Sequence, residues 1–461
     1  MLQKNLVERV ILRAMQTGAD FVELFAEHTS TSAISLANAK VESITDNTIS
    51  GVGIRAFVGI KTIFASTCDI TEEGLMACAA SVADAVGDSC AIVSSINLTE
   101  RIFPNIHPVK IVPSQNLLAR RVDLLKLGCE AASKYDKRIV QVQGGLANTD
   151  RSILIANSEG LFTTDRSVRT RISVNAISSN GTENQSGGAS PGRMMGLELF
   201  DMIDPAEVGR HAAKQAITNL EAVYCPAGKM TVAIENGFGG VIFHEACGHS
   251  LEATSVAIGA SQMAGKLGQV IANEKVTAID DGTIPNAWGS VNIDDEGNPT
   301  QRNVLIENGV LKSYMIDRLG SRRMGMPMTG NSRRQNFTFE PTSRMTNTFI
   351  DNGPDKNEDI IASIEYGLYA KEMGGGSVNP LTGAFNFSVR EGYIVRNGKI
   401  CEAVRGASLI GTGSQILKDI DMVGQNLATG QGMCGSSSGS VPTDVGQPLI
   451  RVSSITVGGR K

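Results

Sequence analysis

The sequence predicts an α+β protein of two domains. The first is an N-terminal mixed α/β domain with an antiparallel sheet, residues 1–224, and the second is a C-terminal β-rich domain, residues 225–461. At 461 residues the chain is too long for one ordinary hydrophobic core. Helical and strand-like patterns are mixed in the first half, whereas β-prone runs dominate after Met230. The 50 glycines, with few aromatic residues, favour turns, hairpins and close backbone contacts.

The N-terminal half alternates between the two periodicities. Apolar residues at helical spacing predict helices over residues 5–17, 70–86, 114–134 and 205–220. Runs rich in β-branched residues predict a hairpin over residues 52–65 and strands over 21–28, 32–36, 139–143, 153–157 and 168–177. The polar stretch over residues 178–192 predicts a loop.

The C-terminal half begins with a predicted strand over residues 230–235, which places the domain boundary near residues 224–228. Two Asn-Gly pairs, Asn308-Gly309 and Asn397-Gly398, lie between β-prone runs. Such pairs are a strong hairpin signal because both residues accept positive φ angles. We therefore expect hairpins at both positions.

Charge and composition exclude several classes of protein. The net charge of −5 and the absence of a basic run argue against nucleic-acid binding. No apolar stretch of about 18 residues or more is present, so we expect no membrane span. The N-terminal segment has charges among its apolar residues, which predicts an amphipathic helix and no signal peptide. We therefore expect a cytoplasmic protein with reduced, mostly buried thiols at its eight cysteines: Cys68, Cys78, Cys90, Cys129, Cys225, Cys247, Cys401 and Cys434.

A short motif gathers the residues most suited to catalysis. The chain has five histidines, and two of them, His244 and His249, flank Glu245 within the window HEACGH. Zinc accepts neutral imidazole and thiolate ligands, and a catalytic zinc keeps one position open for water. An adjacent carboxylate can take a proton from that water. The motif therefore predicts a metal site on a helix of the C-terminal domain, with Glu245 as general base.

The spacing of the two histidines imposes an irregular backbone. Residues five apart on a regular α-helix point about 140° away from each other, so they cannot share one tetrahedral ion. Gly248 permits the helix to end or widen there. We therefore predict an irregular turn between Ala246 and His249.

Two histidines leave the site one protein ligand short. His28, His107 and His211 lie in contexts without other ligand residues, whereas Cys434 lies in a glycine-flanked segment that we expect to be a loop. A thiolate would complete a ligand set of two histidines and one cysteine. Cys247 is the alternative ligand, although within the helix it fits core packing better.

Several long motifs resemble the TldD/PmbA family, bacterial and archaeal proteins once called modulators of DNA gyrase and now regarded as zinc metallopeptidases. The resemblance is closer to the TldD branch, which carries the metal motif. It covers the second half in detail and the first half loosely, through GADFVELFAE and SGVGIRAF. The matching segments of the second half are HEACGHSLEA from His244, DDGTIPNAWGSVNIDDEGNPTQRNVLIENGVLKSYMIDR from Asp280, MGMPMTGNSRR from Met324, PTSRMTNTFI from Pro341, EYGLYAKEMGGGSV from Glu365, VRGASLIGTG from Val404 and VGQPLIRVSSITVGG from Val445.

The resemblance implies that His244, His249 and Cys434 bind zinc and that Glu245 is the general base. It also implies cleavage of unstructured peptides by a dimer, formed with a second copy or with a PmbA-like homologue. The chain departs from the family pattern where Ser436 and Gly439 replace a lysine and a glutamine, and where Thr254 replaces an acidic residue.

These observations predict a zinc-dependent peptidase, and two alternatives stay open. One is a regulatory or peptide-binding module without catalysis, in which Cys247 would close a structural zinc site. The other is a zinc amidohydrolase acting on small amides. We expect Arg333, Arg334 and Arg344 to be solvated at the surface, the alternative being a grip on a peptide carboxyl end. We assign no chemistry to the acidic run Asp294-Asp295-Glu296.

Overall fold

The computed structural model describes residues 2–87, 95–379 and 382–460, so Cys90 lies outside the described residues. The N-terminal half forms one twisted, mainly antiparallel sheet with helices packed on it. Its strands are β1 (Phe21–Ala37), β2 (Lys40–Val58), β3 (Lys61–Thr67), β4 (Thr99–Glu100), β5 (Ile139–Asn157), β6 (Leu161–Ser179), β7 (Asn184–Ala189) and β8 (Gly192–Arg193). Its helices are α1 (Lys4–Met15), α2 (Glu72–Val86), α3 (Leu118–Ser133) and α4 (Pro205–Glu221).

The four predicted N-terminal helices are confirmed, and their ends follow ordinary capping rules. In α2 the Thr71 side chain accepts a hydrogen bond from the Gly74 amide at 3.2 Å. In α4 Asp204 caps the helix, and Pro205 occupies the first turn, where its missing amide hydrogen costs nothing. The apolar face of α1 is fully buried against the sheet and α2.

The sheet differs from the prediction in two respects. The short strands predicted over residues 21–36 and 139–157 are single long strands, β1 and β5, that run through the intervening polar residues. The loop predicted over residues 178–192 is wrong, because β7 within it pairs with β6. A Cβ at Gly187 would lie 2.3 Å from the Ala212 carbonyl oxygen of α4. The small residues there therefore allow a strand to pack closely against a helix.

The C-terminal half is built mainly from sheets, as predicted, and the α+β class is confirmed. Its strands are β9 (Val223–Tyr224), β10 (Gly228–Ile234), β11 (Ala278–Asp281), β12 (Arg302–Glu307), β13 (Val310–Leu311), β14 (Ser332–Arg333), β15 (Thr342–Ser343), β16 (Asn347–Ile350), β17 (Tyr366–Val378), β18 (Ala384–Arg396), β19 (Lys399–Arg405), β20 (Ser408–Thr412), β21 (Ile420–Val423), β22 (Ala428–Ser436), β23 (Gly439–Gln447) and β24 (Ile450–Gly458). Its helices are α5 (Val241–Ala246), α6 (Ala253–Val256), α7 (Arg318–Met324), α8 (Asn357–Ala362) and α9 (Gly413–Asp419).

These strands form two principal sheets around the largest hydrophobic core of the described chain. One follows the order β17-β10-β24-β20-β18-β19-β9, and the other follows β13-β12-β11-β16-β23-β22. Helix α5 packs between them, against β17 and β18 on one side and β16 and β23 on the other. The division into domains at residue 224 stays a prediction, although the N-terminal sheet ends at Arg193 and the C-terminal sheets begin at Val223.

Both predicted Asn-Gly hairpins are confirmed. Asn308 and Gly309 link β12 to β13 with φ angles of 48° and 79°, and Asn397 and Gly398 link β18 to β19 with 48° and 72°. The loop predicted around Cys434 is wrong, since that residue lies within β22. The glycines of β22 serve packing instead, because a Cβ at Gly430 would lie 2.8 Å from the Phe238 side chain.

Ion pairs between the two halves are deeply buried. Arg55 on β2 binds Glu23 on β1 at 3.1 Å and also binds Glu296 of the C-terminal half. Arg334 binds Glu23 as well. The expectation that Arg333, Arg334 and Arg344 are solvated is therefore wrong, since each is at most 4% exposed. The acidic run Asp294-Asp295-Glu296 is likewise buried: Glu296 pairs with Arg55, and Asp295 accepts a hydrogen bond from the Arg334 backbone amide.

A buried histidine at the same junction predicts an acid-sensitive contact. His107 is 2% exposed, and its Nδ1 accepts a hydrogen bond from the Asn286 amide at 3.0 Å. Burial, assisted by the charge of Arg169, lowers the pKa of His107 from 6.5 to about 4. Between pH 6.5 and 4 the His107 imidazole is protonated in the unfolded chain but stays neutral in the folded chain. Stability is therefore lost as the pH falls from 6.5 toward 4.

We expect His107→Gln to remove this part of the acid sensitivity. As the pH falls across that interval, wild type should lose on the order of 2–3 kcal/mol more unfolding free energy than the variant does. Urea unfolding at pH 7, 5.5 and 4.5 measures it. The exposed His28→Gln is the matched control, and identical pH profiles for wild type and His107→Gln would refute the assignment.

Candidate metal centre

The predicted irregular turn is confirmed at the end of α5. The α-helix ends at Ala246, Cys247 has φ −132° and ψ −41°, and a 3-10 turn follows over Gly248–Leu251. A Cβ at position 248 would lie 2.3 Å from the Met345 sulfur, so a larger residue would require the Met345 side chain to move. The turn redirects the chain and brings His249 beside His244, with ring centroids 5.1 Å apart and nearly perpendicular planes.

Three of the predicted site residues meet at one point. His244 Nε2 lies 3.2 Å from Cys434 Sγ, and His249 Nε2 lies 3.3 Å from the same sulfur. The three donor atoms all lie within 4.8 Å of one another. His244 and Cys434 are buried, and the His249 side chain is 15% exposed. Residues 185 to 190 positions apart in sequence are thus brought together by α5, the 3-10 turn that follows it, and β22.

The chemistry of the donors and the two nitrogen–sulfur distances fit a tetrahedral zinc ion. Zinc bonds of about 2.0 Å to nitrogen and about 2.3 Å to sulfur require nitrogen–sulfur separations of roughly 3.5 Å, close to the two observed distances. The imidazole and thiolate donors are those that zinc prefers. Three protein donors leave a fourth position free, which is typical of a catalytic site.

The electrostatics of the cluster favour an ionised cysteine. Burial alone would raise the pKa of the Cys434 thiol, but the neighbouring His244 and His249 more than offset it and lower the pKa to about 4. Burial would lower the pKa of His249, but Glu252 and Cys434 hold it well above its ordinary value. These shifts favour a thiolate at Cys434, the form that binds a metal, whereas His249 must release its proton to become a ligand.

Two carboxylates stand beside His249 in different positions. Glu245 Oε2 lies 3.8 Å from His249 Nε2, the nitrogen that faces the cluster, and its side chain is 26% exposed. Glu252 Oε2 lies 3.1 Å from the opposite ring nitrogen, Nδ1. Such a carboxylate fixes the tautomer and orientation of a ligand histidine. Sequence reasoning gave Glu252 no role, although its spacing of three residues from His249 could have suggested this contact.

Arg344 is a second residue whose place in the site was missed. It is fully buried, and its Nη1 donates to Ser438 Oγ at 3.0 Å and to the Gly439 carbonyl at 2.9 Å. Its Nη2 donates to the carbonyl of Cys434. Arg344 therefore holds the β22–β23 hairpin that presents the thiolate. Thr254, one of the residues that depart from the family pattern, lies nearby: its hydroxyl is hydrogen-bonded to the hydroxyl of Ser343, the neighbour of Arg344, at 3.0 Å.

The other ligand candidates lie elsewhere. Cys247 is buried in the core, where its thiol contacts the Gly413 carbonyl at 3.5 Å and burial raises its pKa. His107 is buried at the junction of the two halves, His211 pairs with Glu372, and His28 is exposed on β1. None of these four belongs to the cluster of His244, His249 and Cys434.

Comparison with known proteins identifies the family. Sequence models described as the PmbA/TldA metallopeptidase C-terminal domain, central domain and domain 1 match residues 227–459, 113–220 and 22–86. The chain belongs to the PmbA/TldA metallopeptidase family. The C-terminal match contains the whole His244, His249 and Cys434 cluster.

Individual relatives support the TldD resemblance. The chain is 36% identical to the Metalloprotease TldD homolog of Haemophilus influenzae over 89% of this chain and 86% of the relative. It is 31% identical to the Zinc metalloprotease TldD homolog of Saccharolobus solfataricus over 57% of this chain and 58% of the relative. The crystal structure of a candidate modulator of a DNA gyrase from Thermotoga maritima shares the fold, with a TM-score of 0.80, 22% identity, and coverage of 99% of this chain and 100% of that one.

Proposed function

We propose that this member of the family is a cytoplasmic zinc peptidase that hydrolyses peptide bonds of unstructured peptides. His244, His249 and Cys434 would hold the zinc, and Glu245 would serve as general base. The observation that carries the proposal is the convergence of three donor atoms within 4.8 Å, with the Glu245 carboxylate 3.8 Å from His249 Nε2. Membership of a metallopeptidase family and the name of the Saccharolobus relative support zinc.

The positions of these side chains support a reaction in which Glu245 transfers the proton. When bound, zinc supplies Lewis-acid chemistry, lowering the pKa of a coordinated water toward about 7. Glu245 accepts the proton from the attacking water and returns it to the leaving amine. Its partial exposure lets a substrate reach it, while Glu252 keeps the His249 ring fixed from behind.

An edge strand supports binding of an extended peptide. β22 ends the order of its sheet, and apart from a bridge between Thr429 and Gly237, its outer edge is paired with no strand among the described residues. The same strand carries Cys434. A peptide pairing along this edge would be recognised through its main chain, which tolerates varied sequences.

The proposal includes a dimer, formed with a second copy or with a PmbA-like homologue, and no role for nucleic acid or membrane. The family resemblance supports the pairing of subunits. The net charge of −5 argues against binding of nucleic acid. Within the described residues, no helix has both the length and the apolar character of a membrane span. Sedimentation with and without a PmbA-like homologue tests the pairing.

Cleavage of an unstructured peptide before and after metal removal tests the function. We expect chelation to lower the rate by roughly 100-fold or more, because the metal contributes several kcal/mol to the barrier, and added zinc to restore it. A tightly folded protein should resist cleavage, and a small amide should be a poor substrate. Unchanged cleavage by protein shown to be metal-free would refute the proposal.

A further inference from the structure

A cavity of about 420 Å³ lies between the N-terminal sheet and the β22–β23 hairpin. Met433 and Pro442 are opposite each other in the hairpin and line the cavity. Because strand side chains alternate between faces, this is the face opposite to the one on which Cys434 meets the histidines. Val441, which pairs with Cys434, also lines the cavity, but His244, His249 and Cys434 do not, so the cavity is separate from the metal centre and shares its supporting hairpin.

Two buried arginines that line the cavity form no ion pair within the described part of the chain. Arg169 donates to the carbonyl oxygens of Trp288 at 3.0 Å and Ser290 at 2.8 Å, and Arg333 donates to the Met345 carbonyl at 2.7 Å. Burial, together with the charge of Arg333, lowers the pKa of Arg169 to about 9. Burial also lowers the pKa of Arg333 to about 10. Buried like charges without anionic partners are costly, so an anion between them would be stabilising.

A third arginine has unused donors. The side chain of Arg334 is 0% exposed, and its Nη2 binds Glu23 and the Asp295 carbonyl. Its Nε and Nη1 are buried, and the described residues offer them no hydrogen-bond partner. Arg151 also lines the cavity, and its buried Nη2 has no hydrogen-bond partner among the described residues. Unmet donors of this kind favour a ligand rich in acceptor oxygens.

The acidic residues of the cavity do not neutralise these cations. Five arginines line it (Arg151, Arg169, Arg171, Arg333 and Arg334), against Glu27, Asp165, Asp294 and Asp295. Glu27 and Asp295 are both paired with Arg151. The Asp294 carboxylate accepts hydrogen bonds from the backbone amides of Glu296, Asn298 and Ser332, so its acceptor sites are already occupied. The lining therefore has one more arginine than it has carboxylates, and neither Arg169 nor Arg333 has an ion pair within the described residues.

The remaining walls are largely apolar. Trp288, Val291, Ile293 and Met433 contribute to them. We propose that this cavity binds an organic carboxylate with an apolar body, the carboxylate meeting Arg169, Arg333 and Arg334 and the body resting near Trp288. The planar fork of a guanidinium matches the two oxygens of a carboxylate. The volume lies within the usual range for small ligands and would hold one or two amino-acid residues.

The carboxylate has two sources: the C-terminal residue of a peptide, or a free organic acid. The peptide source rests on the proposed function, whereas the carboxylate site itself does not. Both can be tested with Trp288, the single tryptophan of the chain, whose emission reports occupancy without any cleavage.

The test uses full-length, metal-loaded Glu245→Gln protein and three probes: the tripeptide Ala-Ala-Phe with a free carboxyl end, the same peptide with a carboxamide end, and 3-phenylpropanoate. We expect a saturable change in emission with the free-acid peptide. The carboxamide peptide should bind more weakly, by a factor of roughly ten or more. Arg333→Gln and Arg169→Gln should each weaken binding of the acid by a similar factor. Arg121→Gln removes a buried arginine outside this cavity and should leave binding unchanged.

The comparison of acid with amide requires no arginine variant, so it decides the matter even if Arg333→Gln does not fold. Equal binding of the two peptides, or no saturable signal with either the free-acid peptide or 3-phenylpropanoate, would overturn the inference. Binding of 3-phenylpropanoate as tight as that of the peptide would support the carboxylate site and assign a free acid as its source. Because the readout is binding, a carboxylate site can be established even if peptide cleavage is never observed.

Discussion

Replacing Glu245 with glutamine should lower peptide cleavage by roughly 100- to 10,000-fold while metal content stays at the wild-type level. Glutamine keeps the size of the side chain but cannot accept a proton. Glu245 lies outside the cluster of three donor atoms, so its loss leaves the ligand set intact. Steady-state cleavage of an unstructured peptide, with elemental analysis of the same sample, measures both quantities.

The matched control for this variant is Glu274→Gln, which changes an exposed glutamate outside the cluster. It should cleave the peptide at the wild-type rate. A Glu245→Gln protein with metal bound and more than about a third of wild-type activity would show that another group is the base. Loss of metal would instead indicate that Glu245 is a ligand.

Replacing Arg55 with methionine should destabilise the folded protein by about 3–5 kcal/mol. Arg55 is 1% exposed and is paired with Glu23 and Glu296, which are themselves buried. Methionine fills similar space but leaves two carboxylates short of a cation, and a buried charge without a partner is costly. Denaturant unfolding followed by circular dichroism gives the change in unfolding free energy.

The control for this experiment is Arg9→Met, which breaks the exposed pair between Arg9 and Glu72. Surface pairs contribute little, so its unfolding midpoint should match that of wild type. Adding Glu296→Gln to Arg55→Met should recover part of the lost stability, since it removes one of the stranded charges. A single Arg55→Met variant within about 1 kcal/mol of wild type would contradict the account of the junction.

Local sequence signals predicted the features that depend on neighbouring residues. The Asn-Gly hairpins follow from turn geometry, and the irregular turn after Ala246 follows from the spacing of His244 and His249 with a glycine between them. The N-terminal helices follow from apolar spacing and from caps such as Asp204. Each signal lies within a few residues of the structure it specifies.

Features set by distant partners were not predictable in the same way. Arg55 is buried because Glu23 and Glu296, 32 and 241 positions away, neutralise it, and a single arginine in a sequence gives no sign of such partners. The buried Arg333, Arg334 and Arg344 were misjudged for that reason. Glycines in β22 and β7 suggested loops, whereas they permit close packing against Phe238 and α4.

The central claim, a metal ion held by His244, His249 and Cys434, is tested most directly by elemental analysis of three proteins: wild type, Cys434→Ala and Cys247→Ala. Our account predicts one zinc per chain in wild type and in Cys247→Ala, and loss of zinc from Cys434→Ala. Retention of zinc by Cys434→Ala together with its loss from Cys247→Ala would contradict the ligand assignment. That result would favour a structural metal in a binding module.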